Sequence, residues 1–373
     1  MKEIRAIIEA YDSLDRAAVR AALATVVRVE GSSYRRTGAR MLVTDDGVWI
    51  GGISGGCLEG DALKRARMAI TKETPSLVTY DTTQDDAHQI GVGLGCNGVI
   101  DVLFTPLRYE DPANAVEILK ACGASNRKLQ VLITVTYVQE TTLPLAVGDV
   151  MAYAGPGSLG KLGDRSLELS LESGINQQIA KNQSATLQLQ TATGSTMEFF
   201  VELLFPEIHL VLMGSQYDIY PLAKLARETG WRASVVANPA RISARTSGAV
   251  DAVYAPDHFD QIGFDSHTAI VLMSHDFNTD KANLPRALDT AAPYIGLLGP
   301  RVRAEKILQE LQDEGRPVSL EEMQRLFAPG GLDIGALTPE EIALSLLSEI
   351  RAVFSNRKGG FLRLRSSSIH ERS

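Results

Sequence analysis

The chain has 373 residues, of which 45% are hydrophobic, with a formal net charge of -8 and an isoelectric point near 5.4. This length exceeds what one hydrophobic core usually supports, so we expect two domains. The negative charge excludes a broad basic surface for nucleic acid or an anionic membrane. Because the sequence has no apolar run long enough to span a membrane and no signal peptide, we expect a cytoplasmic protein.

The cysteines and histidines exclude two common kinds of site. Cys57, Cys96 and Cys122 lie far apart, and the six histidines include no closely spaced pair. Disulfide frameworks and protein-ligated zinc sites need such spacing. Any cysteine chemistry must therefore come from individual thiols.

The first half of the chain predicts helices and an antiparallel or mixed sheet. Hydrophobic periodicity predicts a helix over 1–22 and strands over 24–29, 39–44 and 48–50, the last two joined by an Asp-Gly turn. A helix over 58–70, strands up to residue 107, a helix over 112–122 and an antiparallel extension over 129–202 follow. We assign residues 1–205 to an N-terminal α+β domain.

The second half alternates strands with helices. Strands are expected over 209–213, 233–237, 252–254, 269–273 and 294–298, with helices over 221–228 and 284–290. This alternation is typical of a parallel sheet, so residues 206–355 predict a Rossmann-like domain. Thr338, Pro339 and Glu341 form a capping box that predicts a helix from 339 to 354. The basic, Ser-rich residues 356–373 predict a disordered tail.

Two cysteines occupy positions suited to chemistry. Cys57 follows Gly55 and Gly56 at a predicted helix start, where the helix dipole and free N–H groups favour the thiolate, a nucleophile and soft-metal ligand. Cys96 follows Gly95 in a glycine-rich loop that allows the close approach of a ligand. For both, a tightly packed structural role is the alternative. Cys122 is expected to be structural.

An arginine-containing loop is the third candidate. Residues 31–38 place Arg35 and Arg36 among hydroxyl groups and between two glycines. Fork-shaped guanidinium contacts suit a phosphate group. Solvated surface arginines are the alternative.

The dinucleotide-binding fingerprint of the second half is incomplete. Only Gly214 of the three expected small residues is present, since Gln216 and Ile219 replace the other two. Asn238 stands where an acidic residue would bind the ribose. These changes argue against NAD(P) as a cofactor.

The ends of two later strands carry further candidates. Ligands of open parallel sheets bind beyond the carboxyl ends of the strands, where His275 and Asp276 lie, with a loop-capping role as the alternative. Arg301 and Arg303 begin a helix, where the dipole disfavours them unless an anion lies nearby.

Several of these motifs, taken together, resemble the xanthine dehydrogenase accessory factor (XdhC/CoxI) family. The resemblance covers roughly residues 20–105 and 207–355, and it rests on the arginine-containing loop, Gly52-Ile53-Ser54-Gly55-Gly56-Cys57-Leu58-Glu59, Gly95-Cys96-Asn97-Gly98, Ser274-His275-Asp276, Gly296-Leu297-Leu298-Gly299 and Gly331-Leu332-Asp333-Ile334-Gly335. The sequence departs from the family pattern at Asn97, Gln216 and Asn238.

The resemblance implies an accessory protein that carries molybdenum cofactor of the molybdopterin type as cargo. Such a protein would help the cofactor gain its terminal sulfur with a cysteine desulfurase and deliver it to a molybdenum hydroxylase of the xanthine or CO dehydrogenase type. Cys57 and Cys96 would lie near the molybdenum, a soft partner for thiolate. The cofactor would lie between the domains and contact Arg35, Arg36, Gly55, Gly56, Gly95, Gly214, His275, Asp276 and Arg301.

Two other functions are weighed against this one. The Rossmann-like pattern is also typical of an NAD(P)-dependent oxidoreductase, which micromolar binding of NAD(H) or NADP(H) with hydride transfer would favour. A non-catalytic docking protein would keep its effect on the target enzyme after Cys57→Ala and Cys96→Ala. We expect a cofactor chaperone without turnover of its own, and a homodimer.

Overall fold

The computed structural model describes residues 2–31, 33–81, 98–123 and 127–366. The chain divides into two compact units, residues 1–206 and 207–373, each with its own hydrophobic core. Two predicted site residues, Gly95 and Cys96, lie outside the described residues, as does the end of the predicted tail.

The first unit contains a five-stranded antiparallel sheet in the order β3-β2-β1-β5-β4. Its strands are β1 (Ala21–Gly31), β2 (Arg40–Thr44), β3 (Trp49–Gly51), β4 (Ser76–Asp81) and β5 (Gly98–Pro106). Helix α2 (Glu59–Lys72) covers one face, and α1 (Lys2–Asp12) and α3 (Ala115–Gly123) cover the other. Alternate residues of β1, such as Ala22 and Leu23, therefore enter different cores.

The N-terminal helix is shorter than predicted, because α1 ends at Asp12 and not at residue 22. Three residues later, the Asp15 side chain accepts a hydrogen bond from the N–H group of Ala17 at 3.1 Å. Local bonds of this kind compete with helical hydrogen bonds. Leu14 still packs against the core beneath α1, so its apolar spacing reflects burial in a turn.

A second antiparallel sheet completes the first unit, in the order β7-β6-β9-β8. Its strands are β6 (Gln130–Val138), β7 (Val150–Tyr153), β8 (Ala185–Gln190) and β9 (Thr196–Leu204). The antiparallel extension predicted for this part of the chain is therefore confirmed.

Helix α4 (Arg165–Lys181) packs on this sheet and was not predicted. Its glycine, serine and asparagine residues are typical of turns, so its composition predicts turns. The helical spacing of Leu167, Leu171 and Ile175 is the signal that indicates a helix. The Asp164 side chain caps the helix by accepting hydrogen bonds from the first-turn N–H groups. A Cβ atom on Gly174 would lie 2.5 Å from Leu187, so this glycine permits close packing of α4 on β8.

The second unit contains a six-stranded parallel sheet in the order β12-β11-β10-β13-β14-β15, which confirms the Rossmann-like prediction. Its strands are β10 (His209–Met213), β11 (Arg232–Val236), β12 (Ala252–Tyr254), β13 (Thr268–Leu272), β14 (Tyr294–Leu297) and the unpredicted β15 (Leu326–Phe327). Helices α5 (Ile219–Glu228) and α10 (Pro339–Phe354) cover one face, and α7 (Phe277–Leu288) and α8 (Arg301–Asp313) cover the other. The short helices α6 (Ala244–Ser247) and α9 (Leu320–Arg325) lie in connections.

The strand order places a topological switch point between β10 and β13. The chain proceeds from β10 through β11 to β12 on one side and then returns to the other side of β10. The loops that follow β10 and β13 therefore leave neighbouring strands toward opposite faces. Open parallel sheets bind their ligands in the crevice that such loops form.

Helix α10 begins with the predicted capping box. The Thr338 hydroxyl accepts from the N–H of Glu341 at 3.3 Å, and the Glu341 carboxylate accepts from the N–H of Thr338 at 2.9 Å. We expect Thr338→Ala to lower the free energy of unfolding of the second unit by about 1 kcal/mol, because the N–H of Glu341 loses its acceptor. Urea denaturation measures this, with Thr338→Ser as the control that keeps the hydroxyl. Equal midpoints for wild type and Thr338→Ala would contradict it.

Candidate functional site

The loop of residues 51–58, here called the cysteine loop, connects β3 to α2 and carries Cys57. The Ser54 hydroxyl oxygen accepts hydrogen bonds from the N–H groups of Gly56, Cys57 and Leu58 at 3.2, 3.1 and 3.0 Å. Leu58 is the N-cap of α2, so Cys57 lies immediately before the helix, as predicted. Its thiol is free and partly exposed. The backbone around Cys57 is thus held by one serine.

Glu59 completes this arrangement from the first turn of α2. Its carboxylate accepts a hydrogen bond from the N–H of Ser54 at 2.9 Å and another from the Ser54 hydroxyl. Burial raises the pKa of Glu59, but these hydrogen bonds lower it by more, so its pKa lies below the usual value. The carboxylate therefore stabilises the cysteine loop in its ionised form.

The loop of residues 31–38, here called the arginine loop, contacts the cysteine loop at two points. A Cβ atom on Gly55 would lie 3.2 Å from a ring carbon of Tyr34, so the ring covers that glycine. Arg35 pairs with Glu3, whose carboxylate also accepts a hydrogen bond from the N–H of Gly52 at 3.3 Å. The structure therefore brings two of the predicted motifs together.

The two adjacent arginines have different surroundings. Arg35 is neutralised by Glu3. Arg36, in contrast, has no ion pair within the described ranges, and its Nε is buried without a hydrogen bond. Burial lowers the pKa of Arg36. Because an unpaired, partly desolvated guanidinium is costly, this position favours an anionic ligand.

A buried ion pair holds the end of the arginine loop. Arg40 on β2 pairs with Glu202 on β9, and both side chains are more than nine-tenths buried. Arg40 also donates to the C=O of Gly38 at 2.8 Å. Gly38 has a φ of +86°, and a Cβ atom there would lie 2.4 Å from a Glu202 oxygen. The second sheet thus determines where the arginine loop ends.

Glu202 was not identified from the sequence. Its local signal is a carboxylate within the apolar run 199–204 of β9, four residues after Glu198. Cys122 lies near this pair, where burial raises the pKa of its thiol and Glu202 raises it further. This environment supports the structural role predicted for Cys122.

In the second unit, the switch point holds a histidine and a carboxylate. His275 follows β13, and its Nε2 lies 2.7 Å from Oδ2 of Asp218, which follows β10. The Asp218 side chain is nine-tenths buried, whereas about half of the His275 side chain is exposed. His275 was a predicted site residue, and Asp218 was not identified. The sequence signal for Asp218 is a charged side chain in the turn that stands in place of the glycine fingerprint.

The neighbouring residue Asp276 is the N-cap of α7. Its carboxylate accepts from the N–H of Thr279 at 2.8 Å and from the Thr279 hydroxyl at 2.6 Å. These bonds lower the pKa of Asp276, with the hydroxyl making the largest contribution. The contacts of Asp276 are thus those of the loop-capping role that was the alternative to ligand binding.

The two arginines at the start of α8 point in different directions. Arg301 is four-fifths exposed and pairs with Glu305 at 3.2 Å. Arg303 instead pairs with Asp280, which is fully buried beside the end of β13. Of the two arginines, Arg303 therefore lies near the sheet, whereas Arg301 lies on the exposed side of the helix.

Gly214 is required for contact between two strand ends. A Cβ atom there would lie 2.5 Å from the carbonyl oxygen of Met273. Gln216 is exposed, and the Asn238 side chain accepts a hydrogen bond from the N–H of Ala240 at 3.0 Å, capping a short turn. The turn after β10 is therefore shaped by packing at its first glycine, and the turn after β11 is shaped by local capping at Asn238.

Membrane-spanning helices and clustered metal ligands are both missing from the residues that the structure describes. Among these residues, no helix is long and apolar enough to cross a membrane. In the same ranges, no group of three or more His, Cys, Asp and Glu side chains could hold a metal ion. In the described part of the chain, the candidate ligand-binding groups are therefore separate thiols, arginines and a histidine.

Comparisons with known proteins cover most of the chain. Residues 14–81 match the XdhC and CoxI family, and residues 210–350 match the XdhC Rossmann domain. A Bacillus subtilis protein, named as a probable subunit of xanthine dehydrogenase, is 30% identical over 88% of this chain and 92% of its own length. The molybdenum cofactor insertion chaperone PaoD from Escherichia coli is 25% identical over 89% of this chain and 83% of its own.

The fold is also found in a solved structure. The crystal structure of a protein described as a xanthine dehydrogenase from Bacillus halodurans superposes with a TM-score of 0.69. It covers 96% of this chain and 97% of its own, at 24% identity. From the matched residues and the extent of the Bacillus subtilis relative, the chain belongs to the XdhC and CoxI family.

Proposed function

We propose that this protein binds molybdenum cofactor and delivers it to a molybdenum hydroxylase of the xanthine dehydrogenase type. The Escherichia coli relative is named as a molybdenum cofactor insertion chaperone. The observation that carries the proposal is the contact between the arginine loop and the cysteine loop through Tyr34 and Gly55. This contact brings a loop with an unpaired guanidinium to a loop with a free thiol.

The chemistry of the two loops suits the two ends of the cargo. Thiolate sulfur is a soft ligand of the kind that molybdenum accepts. The cofactor's phosphate is an anion that an unpaired guanidinium can bind through two parallel hydrogen bonds. In this proposal Cys57 contacts the metal end and Arg36 the phosphate end. Arg35 supports the arginine loop through Glu3.

Other predicted contacts remain part of the proposal. In the first unit, Cys96, Gly95, Gly55 and Gly56 would contact the cargo. In the second unit, Gly214, His275, Asp276 and Arg301 would contact it. The geometry favours His275 among the residues of the second unit, because its ring is partly exposed at the switch point. We further propose cytoplasmic loading of the terminal sulfur by a cysteine desulfurase, and a homodimer.

Cofactor recovery tests the role of Cys57. The tagged chain is co-expressed with a molybdenum hydroxylase, purified without oxygen, and analysed for molybdenum and for pterin. We expect Cys57→Ala to lower the molybdenum recovered per chain by at least about 10-fold, the scale of losing a group that supports a metal. Cys122→Ala is the matched control, because it removes a thiol of the same unit that is buried elsewhere.

Two results would contradict the proposal. One is wild-type protein that carries neither molybdenum nor pterin while the hydroxylase in the same cells is active. The other is equal molybdenum recovery with Cys57→Ala and wild type. Equal losses with Cys57→Ala and Cys122→Ala would show a general folding effect and would also count against Cys57 as a ligand.

A further inference from the structure

The loop after β13 presents His275 in an unusual backbone conformation. His275 has a φ of +61°, in the left-handed region that side chains other than glycine seldom adopt. Such conformations persist when surrounding contacts determine them, and they concentrate at functional sites.

Contacts on both sides of His275 hold the loop. The Ser274 hydroxyl donates to Asp280 at 2.5 Å, and the N–H of Ser274 donates to the same carboxylate at 3.2 Å. On the other side, Asp276 caps α7 through Thr279. Both flanking side chains therefore form hydrogen bonds within the second unit, whereas the His275 side chain is directed to the switch point.

Asp218 makes one described side-chain contact, and it is with His275. The carboxylate lies at the N-cap of α5 but accepts no capping hydrogen bond from the helix. Its Oδ1 is buried without a partner among the described residues, and its Oδ2 contacts the His275 ring at 2.7 Å. A buried carboxylate that caps nothing is explained by this one interaction.

This contact determines which ring nitrogen carries the hydrogen. A carboxylate oxygen only accepts, so the hydrogen of the 2.7 Å bond lies on Nε2 of His275. In the neutral ring, Nδ1 then has a lone pair and acts as an acceptor. Within the described part of the chain, Nδ1 has no hydrogen-bond partner, and about half of the side chain is exposed.

We propose that Asp218 fixes the tautomer of His275 so that Nδ1 accepts a hydrogen bond from an N–H group of a bound ligand at the switch point. Asp218 is a positioning residue, and His275 is the binding residue. The identity of the ligand rests on the function proposed above: the cargo's reduced pterin ring carries several N–H donors and meets this requirement.

The tautomer can be measured without any cargo. Full-length protein labelled with 15N-histidine is studied by long-range 1H–15N NMR, and the His275 signals are assigned from their absence in His275→Gln. At a pH where the ring is neutral, we expect hydrogen on Nε2 in wild type. In Asp218→Leu nothing accepts the hydrogen on Nε2, so we expect both tautomers of the neutral ring to be populated. An Nδ1–H tautomer in wild type, or the same tautomer ratio in Asp218→Leu as in wild type, would overturn the proposal.

The ligand contact is tested by cofactor recovery in the co-expression assay. His275→Gln keeps a donor toward Asp218 but lacks the Nδ1 acceptor, so we expect about a 10-fold loss of pterin, the scale of one hydrogen bond. Asp218→Leu should also lower pterin recovery, because the ring is no longer held in one tautomer. His275→Asn, whose side-chain oxygen replaces Nδ1 as acceptor, should cause a smaller loss than His275→Gln. The matched controls are His258→Gln and Asp257→Leu, at an exposed His–Asp pair in the same unit.

The possible outcomes separate this inference from the proposed function. Normal pterin recovery in wild type, His275→Gln and Asp218→Leu alike would overturn the Nδ1 contact and leave the chaperone function standing. Absence of pterin from wild type would overturn the chaperone function and the pterin assignment together, while the NMR result would still decide the tautomer. Loss in the His258 control as large as in His275→Gln would also reject the specific contact.

Discussion

Glu202→Leu is expected to lower the free energy of unfolding of the first unit by about 3–5 kcal/mol, the cost of leaving a buried charge without its partner. Arg40 is almost fully buried, and the Glu202 carboxylate is its counter-ion. Without that carboxylate, the guanidinium keeps only its hydrogen bond to Gly38. Water cannot replace the lost interaction at such a burial.

Urea denaturation of a single-tryptophan protein measures this cost. The chain has two tryptophans, Trp49 in the first unit and Trp231 in the second, so Trp231→Phe leaves a probe of the first unit. Glu30→Leu is the matched control, since Glu30 forms an exposed ion pair with Arg28 that is worth no more than about 1 kcal/mol.

A double variant identifies the cause of the loss. Arg40→Met combined with Glu202→Leu removes both charges and should be more stable than Glu202→Leu alone, because no unpaired charge remains. If the losses of stability in Arg40→Met and in Glu202→Leu simply add in the double variant, the loss in Glu202→Leu reflects packing. The electrostatic explanation is then wrong. Glu202 also lies against Gly38, at the end of the arginine loop. Glu202→Leu should therefore lower cofactor recovery as well.

Gly214→Ala is expected to destabilise the second unit by about 3 kcal/mol, through overpacking and an unfavourable φ. The added Cβ would lie 2.5 Å from the carbonyl oxygen of Met273 and 2.8 Å from its carbon. These are backbone atoms at the end of a central strand, so no side chain can rotate away. The two strand ends must separate instead.

Gly315→Ala is the control for the conformational part of this effect. Gly315 has a φ of +85°, but no atom lies within 4 Å of the place that an added Cβ would occupy. Its replacement should cost only about 1 kcal/mol. Fluorescence of Trp231 in a Trp49→Phe background reports the unfolding of this unit. Equal costs for the two variants would show that the clash with Met273 is relieved without strain.

The same substitution has a second readout at the proposed site. Met273 immediately precedes Ser274, so displacement of this strand end should move His275 relative to Asp218. The His275 NMR signals should therefore change in Gly214→Ala and stay unchanged in Gly315→Ala. Unchanged His275 signals in both variants would contradict a link between Gly214 and the site.

Features that depend on residues close together in the chain could be predicted without the fold. Five of the six parallel strands of the second unit, the start of α2 beside Cys57 and the capping box at Thr338 were predicted. Alternation, helical spacing and caps act over four residues or fewer, so they are visible without the fold. The family resemblance rested on such local motifs too.

Which charged groups form pairs depends on contacts between distant parts of the folded chain. Arg40 and Glu202 are 162 positions apart, and His275 and Asp218 are 57 apart. Helix α4 likewise forms because its apolar residues are buried against a sheet, although its composition is typical of turns. Propensities are weak compared with burial, and a carboxylate gains its partner only when the chain has folded around it.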